Sequence, residues 1–365
     1  MGKAILLLVD GRAFSLQQKG GVSQIWAKIL AAEAFLQAFE VCLFLYPGHL
    51  KNIHLKESGL LENDSVIKII SEIPPTDNAH YSNPTSAERR RALVKNRIPG
   101  RLPVAVINTY YGENIFLDCA RYLVVIHDFA HEDLPRLTQK PSTAGVVQRK
   151  IQSIESASDV VYISGFTRAR AVALYPQIKG RRDAIIFHGH ETFRHRPDRI
   201  RGKFIHVGTR SGYKNFDMVA AAFESQLSVH AGISLSVVGG EPADERLTKL
   251  IVRFPDRVKF ATDVTDEYIF GEIASAEAFI SASEYEGFGI PVLNALHLGT
   301  HPILSNIRPF QEIASHFASY FATDNQKELE DLIAQFAKAP PETKPNAYRP
   351  WDRVAQDYVN FIRGR

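Results

Sequence analysis

Two cysteines in 365 residues, Cys42 and Cys119, supply neither a disulfide framework nor a cysteine cluster for a metal. Both lie in apolar or strand-adjacent stretches, which points to a reducing cytoplasm. Long hydrophobic runs are missing too. The opening MGKAILLLVDGR holds only Ala4 to Val9 before Asp10, too short for a membrane span or a signal-peptide core, so export by that route is not expected. A strong charge of one sign is also lacking: a formal net charge of +3 gives no broad basic face, and nucleic-acid binding needs clustered cations with stacking aromatics. Neither the dinucleotide fingerprint G-x-G-x-x-G nor the nucleophile elbow G-x-S-x-G occurs, so neither a standard dinucleotide site nor a serine hydrolase is indicated.

What the chain has is length and alternation. At 365 residues and 45% apolar composition it exceeds what one hydrophobic core usually organises, so two domains are expected. Apolar runs at 5–9, 41–45, 66–70, 104–107, 123–126 and 160–163 alternate with helical stretches in the first half; runs at 204–207, 235–238, 258–260, 278–280 and 302–304 repeat the theme in the second. Such alternation predicts two α/β, Rossmann-like domains with parallel sheets. Between the first two runs, Ile25, Ile29, Ala32, Leu36 and Phe39 share one helical stripe with Trp26 beside it. The Pro-, Gly- and Arg-containing stretch 175–201 reads as a linker, placing the domains at 1–178 and 179–350. Beyond Pro340, Pro341 and Pro345, the segment 351–365 reads as an amphipathic helix with Trp351, Val354, Tyr358 and Phe361 on one side. The stretch 74–100 reads as a loop with a basic helix, Arg89, Arg90, Arg91, Lys95 and Arg97. These cations form either a solvated face or a peripheral contact to anionic lipid.

The stretch 281–313 carries the chemistry. Glu286 is followed by Gly287, Phe288 and Gly289, then by Ile290 and Pro291 opening an apolar helix that stops at Gly299. Two glycines let the backbone approach a ligand, Pro291 suits the first helical position, and the helix start turns its N–H groups toward the same spot. An anion fits there. Arg210 and Lys214 follow the run 204–207 in a glycine-containing loop; alone they read as surface charges beside a turn, but with the Gly-Phe-Gly loop in the same domain they suit a diphosphate. Gly20 and Gly21 precede the first long helix, as a tight turn or as a second backbone approach to phosphate. His127 and Asp128 end the run 123–126, where an imidazole is either structural or a hydrogen-bonding contact to substrate hydroxyls.

Taken in order, LLVDGRAFSLQQKGGVSQ, VVIHDF, ISGFTRARAVALYP, FIHVGTRSGYKNFDMVAAAF and SEYEGFG resemble motifs of the retaining glycosyltransferases of family 4, across nearly the whole chain. The resemblance implies the GT-B fold, two facing Rossmann-like domains with a metal-independent active site in the cleft and the last helix crossing back to the first domain. It implies that Arg210 and Lys214 bind the donor diphosphate and that Gly20 and Gly21 approach it. Glu286 with the amides of Gly287, Phe288 and Gly289 would hold the donor sugar, and His127 would contact that sugar near the reacting carbon. The family's second Glu, eight positions after the first, is Asn294 here, implied to face the ribose more weakly.

The expected activity is therefore retaining transfer of a hexose from a nucleotide-sugar, GDP-mannose first and UDP-sugars next, to a cell-surface glycan or lipid-linked acceptor. No cofactor or metal and no nucleic-acid partner is expected, and the location is cytoplasmic, with a possible peripheral membrane contact. Two alternatives stay open: a nucleotide-sugar epimerase, and a catalytically inactive nucleotide-binding partner of another glycosyltransferase, which Asn294 keeps in play.

Overall fold

The computed structural model describes residues 5–74, 84–111, 121–137, 145–193, 197–210, 212–341 and 349–364. The chain divides into two compact units, Met1–His188 with Trp351–Arg365, and Gly189–Pro350. In the first, seven strands are described: β1 (Ile5–Asp10), β2 (Phe39–Leu45), β3 (Ile67–Ile70), β4 (Ala105–Asn108), β5 (Tyr122–Ile126), β6 (Asp159–Tyr162) and β7 (Arg182–Ile185). They pair in parallel in the order β3-β2-β1-β4-β5-β6-β7. The second unit holds β8 (Ile200–Val207), β9 (Ser234–Val238), β10 (Val258–Ala261), β11 (Ala276–Ser281), β12 (His301–Ser305) and β13 (Ser319–Phe321), again parallel, ordered β10-β9-β8-β11-β12-β13. Central strands of such sheets are covered on both faces, which is why they read as continuous apolar runs.

Both sheets reverse direction of winding beside their first strand, between β1 and β4 and between β8 and β11. Ligands of open parallel sheets bind beyond the carboxyl ends of the strands at such a reversal, where the loops of two neighbouring strands diverge. In the second unit those loops are 208–215 and 282–289, the two that carry Lys214 and Glu286.

Several expectations need correction. The stripe from Ile25 to Phe39 is two helices, Gly21–Ala31 and Glu33–Ala38, because Ala32 is extended at ψ 134°; the restart changes phase, so Phe35 is buried in place of Leu36, and Phe39 already belongs to β2. The boundary also lies later than 178. β7 pairs with β6 from inside the supposed linker, which keeps the chain in the first unit to His188. The C-terminal helix Trp351–Arg363 belongs to that first unit, burying Trp351, Val354, Tyr358 and Phe361. Its Tyr358 packs edge-on against Trp26 at 5.8 Å, and its end is held by Arg121 Nη1 donating to Ile362 O (2.6 Å) and Arg363 Nη2 to Ala38 O (2.8 Å).

The basic helix is Pro84–Arg97, and Arg90 is not on its outer face. Its side chain is buried, donates to Pro74 O at 2.8 Å and lies over the Tyr46 ring, while Arg89, Lys95 and Arg97 are exposed. Cys42 is buried in β2, where burial pushes its thiol up to about 12, so it is an inert packing residue; Cys119 lies outside the described residues. No helix among the described residues is long and apolar enough to cross a membrane.

Candidate functional site

The loop after β11 is built to hold one carboxylate in place. Glu286 accepts on Oε1 from Lys214 Nζ (2.7 Å) and from Ser283 Oγ (2.8 Å), and its Oε2 accepts no hydrogen bond among the described residues. One oxygen is anchored and the other is available. Ser283 is itself fixed, since Ser305 Oγ donates to its carbonyl and Ser281 Oγ lies 3.2 Å from its hydroxyl. The two loops are joined by their backbones as well, Glu284 N donating to Tyr213 O at 2.8 Å. Lys214 is reached through the short turn Gly212–Lys214, and Asn215 then takes a left-handed conformation (φ 51°) to start the helix Phe216–Val229. Asn tolerates that backbone better than most side chains, which gives Tyr-Lys-Asn a physical basis.

Gly289 is required at its position. Its φ is 120°, and a Cβ there would also sit 3.0 Å from the Phe310 ring. It precedes the helix Ile290–Leu298, which has Pro291 in its first turn and no side-chain cap. The N–H groups of Gly289 and Ile290 make no hydrogen bond among the described residues, so they are open to an anion. Phe288 is buried and anchors the loop between the two glycines. Asn294, one turn into the helix, is also buried and accepts from Glu191 N at 3.4 Å.

Arg210 is placed differently from its expected role. Its buried guanidinium donates from Nη1 to Gly239 O (2.9 Å) and from Nη2 to Glu241 O and Pro242 O (2.8 Å for the latter). It also lies 3.5 Å from an Asp244 oxygen and over the Phe260 ring. Arg210 therefore clamps the loop after β9, while Lys214 pairs with Glu286. The clamp has a reason: a Cβ on Gly240 would sit 2.6 Å from Gly208 O, so these two loops touch backbone to backbone.

In the first unit, Gly20 caps the helix Gly21–Ala31 and Gly21 is exposed with nothing near its Cα hydrogens, but the Ser23 amide is already taken by Gln17 Oε1 (2.9 Å). His127 follows β5 with its ring buried between Tyr111 and His188, at 6.4 and 6.3 Å between ring centres. Its backbone N–H donates to Tyr111 Oη (2.9 Å), and its buried Nε2 has no partner among the described residues. Beside it Lys150, fully buried, donates to Asp128 O and Glu132 Oε2, both at 2.8 Å. The Ser164-x-x-Thr167 pattern is an N-cap, with Ser164 Oγ accepting from Thr167 N at 3.0 Å. Ser283, Gln17 and Lys150 were missed in the sequence. Only Ser283 carried a local signal, three residues before Glu286.

Burial lowers the His127 imidazole to about 4; Asp128 opposes that shift and Lys150 adds to it. The folded chain thus keeps His127 neutral while an unfolded chain would protonate it near pH 6.5. Its contribution to stability is present above pH 6.5 and is lost as the pH falls toward 4. By pH 5 roughly 1.5 pH units of that gap have been crossed, or about 2 kcal/mol. His127→Gln should flatten the fall in unfolding free energy between pH 7.5 and 5 by about that amount. A variant with the wild-type slope in urea titrations would remove His127 as its source.

Residues 191–349 match the family described as glycosyl transferases group 1. Among curated proteins, the serotype-specific mannosyltransferase WbdA of Escherichia coli is 30% identical over 162 residues, 42% of this chain and 20% of that protein. The O-antigen chain mannosyltransferase B of Escherichia coli is 23% identical over 223 residues, 56% of this chain and 58% of that protein. The chain thus matches about a fifth of the first relative's length and somewhat over half of the second's. Among solved structures, WaaG, a glycosyltransferase involved in lipopolysaccharide biosynthesis, has a TM-score of 0.63 at 14% identity, over 98% of this chain and 95% of its own. A glycosyltransferase from Rickettsia africae ESF-5 also reaches 0.63, at 12% identity over 100% and 94%. The likeness is one of fold: two parallel sheets with their helices, as in GT-B glycosyltransferases.

Proposed function

From the match of residues 191–349 to the family described as glycosyl transferases group 1, we propose that the chain transfers a hexose from a nucleotide-sugar to a glycan or lipid-linked acceptor. The observation that carries this reading is the Lys214–Glu286 pair, set where the loops of β8 and β11 diverge. As the bond between sugar and phosphate breaks, negative charge gathers on the departing nucleoside diphosphate. Lys214 and the open N–H groups of Gly289 and Ile290 are fixed positive poles for that charge, and fixed poles lower a barrier without reorganising. Glu286, with Oε1 anchored and Oε2 open, receives hydroxyls of the donor sugar, beside the backbone of Gly287 and Phe288. Arg210 acts through its clamp on the loop 239–244. Mannose from GDP-mannose is the first donor, in keeping with the two mannosyltransferase relatives, and UDP-sugars are second. Transfer is metal-independent and keeps the anomeric configuration, with the leaving phosphate assisting proton removal from the acceptor.

Thermal shift against a panel of nucleoside diphosphates tests the donor. A ligand at 100 times its Kd stabilises the folded state by about 2.7 kcal/mol, so GDP should raise the melting temperature by several degrees in the presence of EDTA. No shift with any nucleoside diphosphate would remove the donor site. A lipid-linked acceptor also needs the chain at a membrane, and the exposed Arg89, Lys95 and Arg97 suit anionic lipid at about 1 kcal/mol each. Binding to phosphatidylglycerol vesicles should weaken as salt rises and when all three become Ala; unchanged binding in either case leaves the helix a solvated face.

A further inference from the structure

Lys214 and Glu286 follow two neighbouring strands that part before their loops begin. The ladder between β8 and β11 ends at Ile205 and Phe279, while β8 stays paired with β9 to Val207 and β11 with β12 to Ser281. His206 stands where the gap opens. Its Nδ1 lies 3.2 Å from Ile280 O, so a side chain of one strand meets the main chain of the other just where their own ladder has stopped. A carbonyl can only accept, which assigns the ring hydrogen to Nδ1. The same ring packs against Phe216 at 5.0 Å between centres, two residues beyond Lys214. Further out the loops meet again, through Glu284 N with Tyr213 O and through Lys214 with Glu286.

Packing alone does not call for an imidazole at this position. His206 lies on the same face of β8 as Phe204, whose buried ring packs against Phe223 and Phe336. A further apolar side chain would continue that core at lower cost, because His206 is buried too and its Nε2 has no partner among the described residues. Burial lowers the imidazole to about 4; the carbonyls of Ile280 and Thr209 oppose that shift, and Lys214 and Arg210 add to it. Near pH 7 the ring therefore carries one hydrogen, and Ile280 O takes it. What the imidazole adds over an apolar ring is a tie across the gap.

We propose that His206 is a positioning residue for the transfer: its bond to Ile280 O and its contact with Phe216 hold β8 and β11 at the separation at which Lys214 meets Glu286. This rests on the reading of that pair as the place where the nucleotide-sugar binds. His206 touches no substrate, and its effect reaches the reaction through the two loops that it joins at their root.

Two variants of nearly the same shape test it in the full chain. His206→Leu and His206→Asn branch alike at Cγ, but only Asn can set a hydrogen-bond donor where Nδ1 stands. Release of nucleoside diphosphate from saturating GDP-mannose or a UDP-sugar gives turnover, and thermal melting gives stability. His206→Leu should lose about tenfold in turnover, since a small displacement of a charged pair is enough for that, while melting above His206→Asn. His206→Asn should keep most of the wild-type turnover although it melts lower. A role in packing alone predicts the reverse order, with activity following stability. Equal turnover in the two variants, or a faster His206→Leu, overturns the proposal. A wild-type chain that releases nucleoside diphosphate from none of these donors removes the donor-site reading itself, and this proposal with it.

Discussion

Lys214→Ala is expected to lower turnover at saturating donor by at least about 10²-fold, the usual scale for removing a contact to charge that develops in the transition state. The cation is held in place before substrate arrives. Glu286 Oε1 fixes Nζ at 2.7 Å, the Ser283 hydroxyl fixes Glu286, and the loop backbones are tied at Glu284 and Tyr213. In the free chain the pair neutralises itself; in the proposed donor complex Lys214 would face the departing phosphate. Stability should change little, within about 1 kcal/mol, because a partly exposed ion pair contributes little to folding. A melting temperature like that of wild type with turnover down by two decades is therefore the expected pattern. Near-normal turnover would take Lys214 out of the diphosphate site.

Arg210→Ala should lose activity on a similar scale, at least about 10²-fold, but by another route and with a visible loss of stability. The guanidinium satisfies the carbonyls of Gly239, Glu241 and Pro242 from a buried position. Truncation hands those carbonyls to water, since Gly239 is half-buried and Glu241 and Pro242 are exposed, so the loss is the net contribution of hydrogen bonds to a charged group, about 1.5–3 kcal/mol. The loop after β9 then loosens against Gly208, in the turn that leads to Lys214. Arg210→Lys should not restore either quantity, since a point charge cannot span three carbonyls as a planar fork does. Reduced turnover at an unchanged melting temperature would contradict the clamp and return Arg210 to direct contact with phosphate.

Strands were legible where burial on both faces makes them apolar, as in LLLV of β1 or LSVV of β9. β7, RDAI, and β13, SYF, were not. Each is a short edge strand, mostly half-buried or exposed, with little apolar pattern to find. Missing β7 displaced the domain boundary, because the polar stretch that looked like a linker is partly sheet. The stripe from Ile25 to Phe39 misled for a different reason: a helical period continues across a one-residue break, and nothing in Ala32 announces its extended backbone.

The candidate site divides in the same way. Glu286 with two glycines before Pro291 is a local pattern with a local cause, so it could be read directly. That Lys214 would be its partner, 72 residues away, depends on β8 lying beside β11, which is topology. Arg210 was recognised as a donor of several hydrogen bonds, but residue type does not say who accepts them, and three carbonyls of its own domain do. Asn294 stood out as a missing carboxylate; only the fold shows which backbone occupies its oxygen.

The most direct test of the central claim is to incubate the purified chain with GDP-mannose in EDTA, without acceptor, and follow the products by proton NMR. The account predicts slow release of GDP together with mannose that appears first as the α anomer, water taking the acceptor's place on the same face, and no release from Lys214→Ala. GDP-mannose and a panel of UDP-sugars all surviving intact, or conversion of the donor into a different nucleotide-sugar, would contradict it.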